Sequence, residues 1–108
     1  MKRGDIVVVS PPGAYGKPRP AIVVQSDALD GADSVLLALL TSTLRDVPLF
    51  RLTLVPDSRN ALKEVSQVMV DKILTVPRNK CGAIIGQIDT ASLVSLNRML
   101  SFVFGLAD

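Results

Sequence analysis

Histidine and tryptophan are absent from this 108-residue chain, and cysteine occurs once, at Cys81. Without imidazole and with one thiol, a zinc or haem site has almost no ligands to draw on, and no internal disulfide can form. The same gaps remove the usual base of a serine or cysteine nucleophile. Ser10 lies beside Pro11, no serine occupies a nucleophile elbow, and no two carboxylate motifs are spaced for acid and base work. The segment "GKPRP" lacks both the spacing and the following helix of a phosphate-binding loop, so nucleoside triphosphate chemistry is not expected. Long apolar runs are missing as well. Although 48% of the residues are hydrophobic, each run is broken well before the roughly 20 residues a bilayer requires. Met1, Lys2 and Arg3 lead through Gly4 and Asp5 into a short valine run, without the length or cleavage site of a secretory signal. The cytosol is therefore the expected compartment, with no metal, cofactor or membrane. Charge excess is small: a net +2 permits a nucleic-acid partner without demanding one, so any basic signal has to be local.

What is present reads as short strands separated by strong turn signals. Asp5 to Ser10 is β-branched, and "SPPGAYGKP" then breaks it as a loop. Ala21 to Gln25 is a second strand, and Val35 to Leu40 a third whose continuous apolar character predicts burial on both faces. Leu49 to Val55 alternates, with Phe50, Leu52 and Leu54 on one face and Arg51 and Thr53 on the other. After "PDSRNALKE" a fifth strand runs from Gln67 to Lys72, ahead of a turn over Pro77 to Lys80. "CGAIIGQI" is a short sixth strand whose Gly82 and Gly86 suit bends or close backbone approach. Asp89 or Thr90 caps a helix to about Phe104, in which Leu93, Leu96, Leu100 and Val103 recur at helical spacing and Gly105 is a terminator. Met99, Phe102 and Phe104 widen its apolar face, which suits either packing on the strands and against a second subunit or a single helix with a wide buried face. One domain, residues 1–108, is expected: mostly β, a small barrel of five to seven short strands with a C-terminal helix.

The polar residues that could carry chemistry collect at strand ends. Pro18 and Pro20 fix φ on either side of Arg19, and Pro20 keeps Arg19 extended, so this arginine is presented rigidly at a strand start. Thr41, Ser42 and Thr43 follow the third strand directly. Gln67, Met69 and Asp71 share one face of the fifth by their even spacing. Such a set suits a groove better than a sealed core.

The stretches "KRGDIVVV", "GKPRPAIVVQSD", "LLTSTLRDVPLFRLTL" and "SQVMVDKILTVPRNKCGAIIGQID", followed by a helix ending "FGL", occur in this order over nearly the whole chain. Together they resemble the MazF/PemK family of toxin endoribonucleases from bacterial toxin–antitoxin pairs. The resemblance implies an SH3-like barrel of the CcdB/MazF type, a homodimer, single-stranded RNA as substrate and an antitoxin with a flexible, acidic tail as partner. It places the family's catalytic arginine on Arg19 and its threonine on Thr41, and matches the aspartate of PemK-like members to Asp71. Two departures stand out: the arginine some members carry two residues before that aspartate is Met69 here, and the first loop lacks the histidine or glutamate of several relatives.

RNA supplies its own nucleophile, the 2′-hydroxyl, so donors arranged around the phosphorane suffice for cleavage. Arg19 then donates to the nonbridging oxygens and Thr41 adds a hydrogen bond. Asp71 either orients Arg19 or accepts from a base edge or the 2′-hydroxyl, unless it is a surface charge. Tyr15, the only tyrosine, is a candidate for base stacking worth roughly 1 to 3 kcal/mol. Lys17, Ser42, Thr43, Arg45, Arg51, Gln67, Met69 and Lys80 are the further RNA-contact candidates, and Arg59 and Lys63 are also candidates for tracking the RNA backbone, though any solvated face carries such basic residues. A gyrase-binding poison like CcdB, or a toxin-like domain without catalysis, is the alternative from another functional class.

Overall fold

Strand β1 (Asp5–Val9) is a run of β-branched residues whose two faces are both buried: Ile6 joins one hydrophobic cluster, Val7 and Val9 a second on the opposite side of the sheet. In this computed structural model, which describes residues 1–10, 17–106 and 108, the same division holds in β2 (Arg19–Val23), with Ile22 on one side and Ala21 and Val23 on the other. The remaining strands are β3 (Ser34–Thr41), β4 (Arg51–Leu54), β5 (Ser66–Pro77) and β6 (Cys81–Gln87). All pairs are antiparallel, in the spatial order β4-β5-β3-β2-β1-β6.

The expected barrel is corrected at this point: six strands and a C-terminal helix form, but the sheet is open. Its edges β4 and β6 do not pair with each other. β4 stops after four residues, and the segment that follows it takes the place a closing strand would need. The Gln87 N–H donates to the Arg59 carbonyl oxygen at 3.1 Å, so β6 is met by a turn instead of by β4. Burial on both faces of β1 and β2 fits this open sheet with a hydrophobic cluster on either side.

β5 runs well past the expected Lys72 because its second half pairs with the first half of β3. Between these two ladders the strand bulges. Ala38 pairs with Ile73 and Leu40 with Val68, so the one β3 residue between them, Leu39, is set against the β5 stretch from Met69 to Lys72. A bulge of this kind turns side chains off the regular alternation, and Asp71 and Lys72 are exposed on it.

Helix α1 (Thr90–Val103) packs on β4 and β5. Asp89 is its N-cap, Oδ1 accepting from the Ser92 N–H at 2.7 Å. The Ser92 backbone N–H and then the Ser92 side chain hold the Asp89 carboxyl below its ordinary value, so the cap is fully formed above the usual aspartate range and is lost only as pH falls through that lowered value. Leu96 is wholly buried, a burial worth about 1.5 to 3 kcal/mol. Leu93, Met99, Leu100 and Val103 pack around it at the edge of the core. Gly105, at φ 71°, ends the helix in the left-handed conformation glycine favours. Phe102, Phe104 and Leu106 remain exposed.

Candidate active site

Two strand ends meet at the mouth of the sheet. Arg19 opens β2, paired with Val9, and the ladder of β2 with β3 begins only at Ala21, so the missing N–H of Pro20 costs no bond on that side. Thr41 closes β3, paired with Gln67. Between them lies a cleft of about 340 Å³ lined by Arg19, Thr41, Ser42, Thr43, Glu64 and Ser66 among others. Arg19 is exposed there, and its guanidinium offers a planar fork of N–H donors with no acceptor. The Thr41 Oγ1 accepts from the Thr43 N–H at 3.1 Å, which fixes its rotamer and leaves its own proton to donate. One charged donor and one oriented neutral donor therefore face the same space.

The other expected residues divide. Ser42 and Thr43 lie in the cleft. Gln67 does not face it: the side chain is buried and fully engaged, Oε1 accepting from the Arg45 N–H at 2.9 Å and Nε2 donating to the Arg45 carbonyl and the Thr53 hydroxyl. It anchors the segment after β3, holding the Arg45 backbone while the Arg45 residue stays exposed. Met69 and Arg51 are half-buried partners on β5 and β4, and the Arg51 Nε and Nη1 have no hydrogen-bond acceptor among the described residues. Asp71 sits on the exposed bulge and does not line the Arg19 cleft. Lys17 is exposed beside Pro18. Tyr15 lies outside the described residues.

Lys80 belongs to a further cleft, about 400 Å³, with Val8, Ser10, Pro18 and Cys81. A third, about 250 Å³, joins the two: Pro20, Glu64 and Ser66 also border the Arg19 cleft, Val8 and Pro18 also border the Lys80 cleft, and Ala61, Leu62, Lys63 and Ile85 complete it. The three make one groove with Arg19 near one end and Lys80 near the other. Burial raises the Cys81 thiol above its ordinary value, against a smaller opposing effect of Arg78, so it is a protonated, inert wall of that groove at neutral pH.

Glu64 and Ser66 are the cleft residues that sequence reading passed over. Both follow a turn whose order is visible only in three dimensions. Asp57 Oδ1 accepts from the N–H groups of Arg59 (2.9 Å) and Asn60 (2.7 Å); Asn60 Oδ1 accepts from those of Asp57 and Leu62, each at 3.0 Å; and Asn60 Nδ2 donates to the Val55 carbonyl at 2.9 Å. Asn60 is buried, Ala61 is held at φ 55°, and Gly86 lets the turn sit directly on β6. The D-x-x-N spacing of Asp57 and Asn60 was the available signal.

Residues 2–104 match the model of the PemK-like, MazF-like toxin of type II toxin–antitoxin systems. A protein of Mycolicibacterium smegmatis named "Probable endoribonuclease MazF" is 37% identical over 108 residues, covering 99% of both chains. Among solved structures, a mycobacterial endoribonuclease in complex with its cognate antitoxin superposes with a TM-score of 0.82 at 21% identity, covering 98% of this chain and 96% of the other. The Mycobacterium tuberculosis toxin MazF-mt6 gives 0.80 at 22% identity, with 94% and 96% covered. At these identities the two structures speak for the fold.

Proposed function

The chain belongs to the PemK-like, MazF-like toxin family of type II toxin–antitoxin systems, and from that premise we propose how it cuts RNA. It is the toxin component of such a system, an endoribonuclease. The scissile phosphate of a single-stranded RNA lies in the cleft between Arg19 and Thr41. The 2′-hydroxyl attacks phosphorus, the P–O5′ bond breaks, and the products are a 2′,3′-cyclic phosphate and a 5′-hydroxyl. Arg19 balances the charge that builds on the nonbridging oxygens, and the Thr41 hydroxyl donates to one of them. The observation that carries this reading is the placing of both residues, from different strands, around one cleft. The groove onward past Pro18 to Lys80 is the RNA path, and it suits single-stranded RNA, whose unstacked bases can splay into such a groove.

A type II toxin is paired with an antitoxin; here an acidic, flexible tail laid along the same groove would exclude RNA by occupancy and by charge. The exposed Phe102 and Phe104, with the cleft formed by Leu49, Arg98 and Met99, are the surface for a second copy in a twofold dimer. The cytoplasm, where transcripts are found, is the place of action. No helix among the described residues is long and apolar enough to cross a bilayer. Purified protein incubated with RNA in excess chelator is expected to cleave it and leave 5′-hydroxyl ends. Fragments carrying 5′-phosphate, or complete loss of cleavage on chelation, would contradict the mechanism.

A further inference from the structure

We infer that Glu64 is the general base of the cleavage, taking the proton of the attacking 2′-hydroxyl; the inference rests on the reading of the Arg19–Thr41 cleft as the reaction site. Attack by the 2′-oxygen requires a proton acceptor. The Arg19 guanidinium has donors only, and the hydroxyls of Thr41, Ser42, Thr43 and Ser66 are far too weak as bases. Glu64 is the one carboxylate among the described residues lining this cleft, whereas Asp71 stands outside it.

The chain also holds Glu64 in place. The Ser66 hydroxyl donates to the Glu64 carbonyl at 3.0 Å, and Ser66 itself is buried. On the other side the Asp57–Asn60 turn, seated on Gly86, fixes the start of the segment. Ala61 at φ 55° occupies a conformation that costs a non-glycine residue about 1 to 2 kcal/mol, so this path of the chain is imposed by its surroundings. The Glu64 side chain is left exposed at the cleft, with no hydrogen-bond partner among the described residues. In the step itself the 2′-O–H proton passes to the Glu64 carboxylate as the 2′-O–P bond forms. The P–O5′ bond breaks with its electron pair on O5′, which takes a proton from water, and the Glu64 carboxyl then returns its proton to solvent.

A carboxylate beside a phosphate site opposes RNA binding. A Glu64 that was merely solvated would therefore show tighter RNA binding and an undiminished rate once neutralised, and this separates the two roles. Single-turnover cleavage by the wild type, Glu64→Gln and Glu64→Asp is measured across pH, with RNA affinity and circular dichroism measured in parallel. Glu64→Gln is expected to slow cleavage by about 10² or more, within the range typical of a lost general base, with RNA affinity unchanged or higher. Among the described residues Arg19, from β2, and Lys63, from its own segment, are the charged groups lining the clefts that Glu64 borders. The wild-type rate should accordingly rise with pH through a carboxylate ionisation that Glu64→Gln abolishes and Glu64→Asp retains, with part of the rate. Wild-type speed and pH dependence in a folded Glu64→Gln variant would overturn the assignment while leaving the cleft intact as the active site. A folded wild type that cuts no RNA would overturn the reading of the cleft and this assignment with it.

Discussion

Arg19→Ala is expected to lower cleavage by about 10³-fold or more, while Thr41→Ala leaves a measurable residue. Removing one oxyanion donor typically costs about 10² to 10³ in rate, or roughly 2.7 to 4 kcal/mol. Arg19 supplies more than one donor: its planar fork can reach two phosphate oxygens, and it brings the positive charge that the cleft otherwise lacks. Thr41 supplies one neutral donor in a position where Ser42 and Thr43 also present hydroxyls, and water can enter the space its side chain vacates. Neither substitution should disturb folding. Arg19 is exposed and makes no side-chain hydrogen bond among the described residues, and the Thr41 side chain contributes only its local bond to the Thr43 N–H. Single-turnover rates, with circular dichroism for both variants, give the ranking. An Arg19→Ala protein as fast as its parent would reduce the proline-flanked arginine to a strand-edge charge.

Gly86→Ala is expected to cost more stability than the same substitution at any other described glycine. A Cβ there would lie 2.5 Å from the Arg59 carbonyl oxygen and 2.7 Å from the Asn60 carbonyl carbon and oxygen. These are backbone atoms of a turn locked by its own hydrogen bonds, so no flexible side chain can yield. Overpacking costs typically 1 to 3 kcal/mol and more where backbone must move; about 3 kcal/mol in a domain of this size lowers Tm by roughly 10 to 20 °C. The turn is also what carries Lys63 and Glu64 to the groove. Cleavage measured well below the new Tm should fall as well, beyond what the unfolded fraction accounts for. A thermal melt within a few degrees of wild type would mean that the turn does not depend on its close approach to β6.

Arg19 and Thr41 were legible in the sequence because their placing is local. Two prolines make one extended, and a clean apolar run ending in a polar triplet marks the end of a strand for the other. The strands and the helix were legible for the same reason, through β-branched runs, turn residues and the Asp89 cap. Closure was not, since it depends on whether β4 and β6 meet, and nothing in either strand records that a turn comes between them. Gln67 and Asp71 follow the same logic: even spacing assigns them one face, but burial turned Gln67 into an anchor for Arg45 and the bulge against Leu39 left Asp71 outside the cleft. Glu64 was invisible because the residues that bring it to Arg19 are distributed over a turn, a glycine on β6 and the start of β5. Among the described residues the carboxylate that borders the Arg19–Thr41 cleft is Glu64, on a different element from Asp71.

If the RNA itself provides the nucleophile and the Arg19–Thr41 cleft stabilises the phosphorane it forms, cleavage depends on the 2′-hydroxyl at the cut site. The most direct measurement uses an RNA whose cut site has been mapped and a second RNA identical except for a 2′-deoxy sugar immediately 5′ of the scissile phosphate. The substituted strand is expected to bind and compete with the parent RNA but not to be cut at that phosphate at all, in the presence or absence of added metal. Cleavage of the 2′-deoxy bond at a rate near that of the parent RNA would contradict that dependence, because water or a protein group would then have to be the nucleophile.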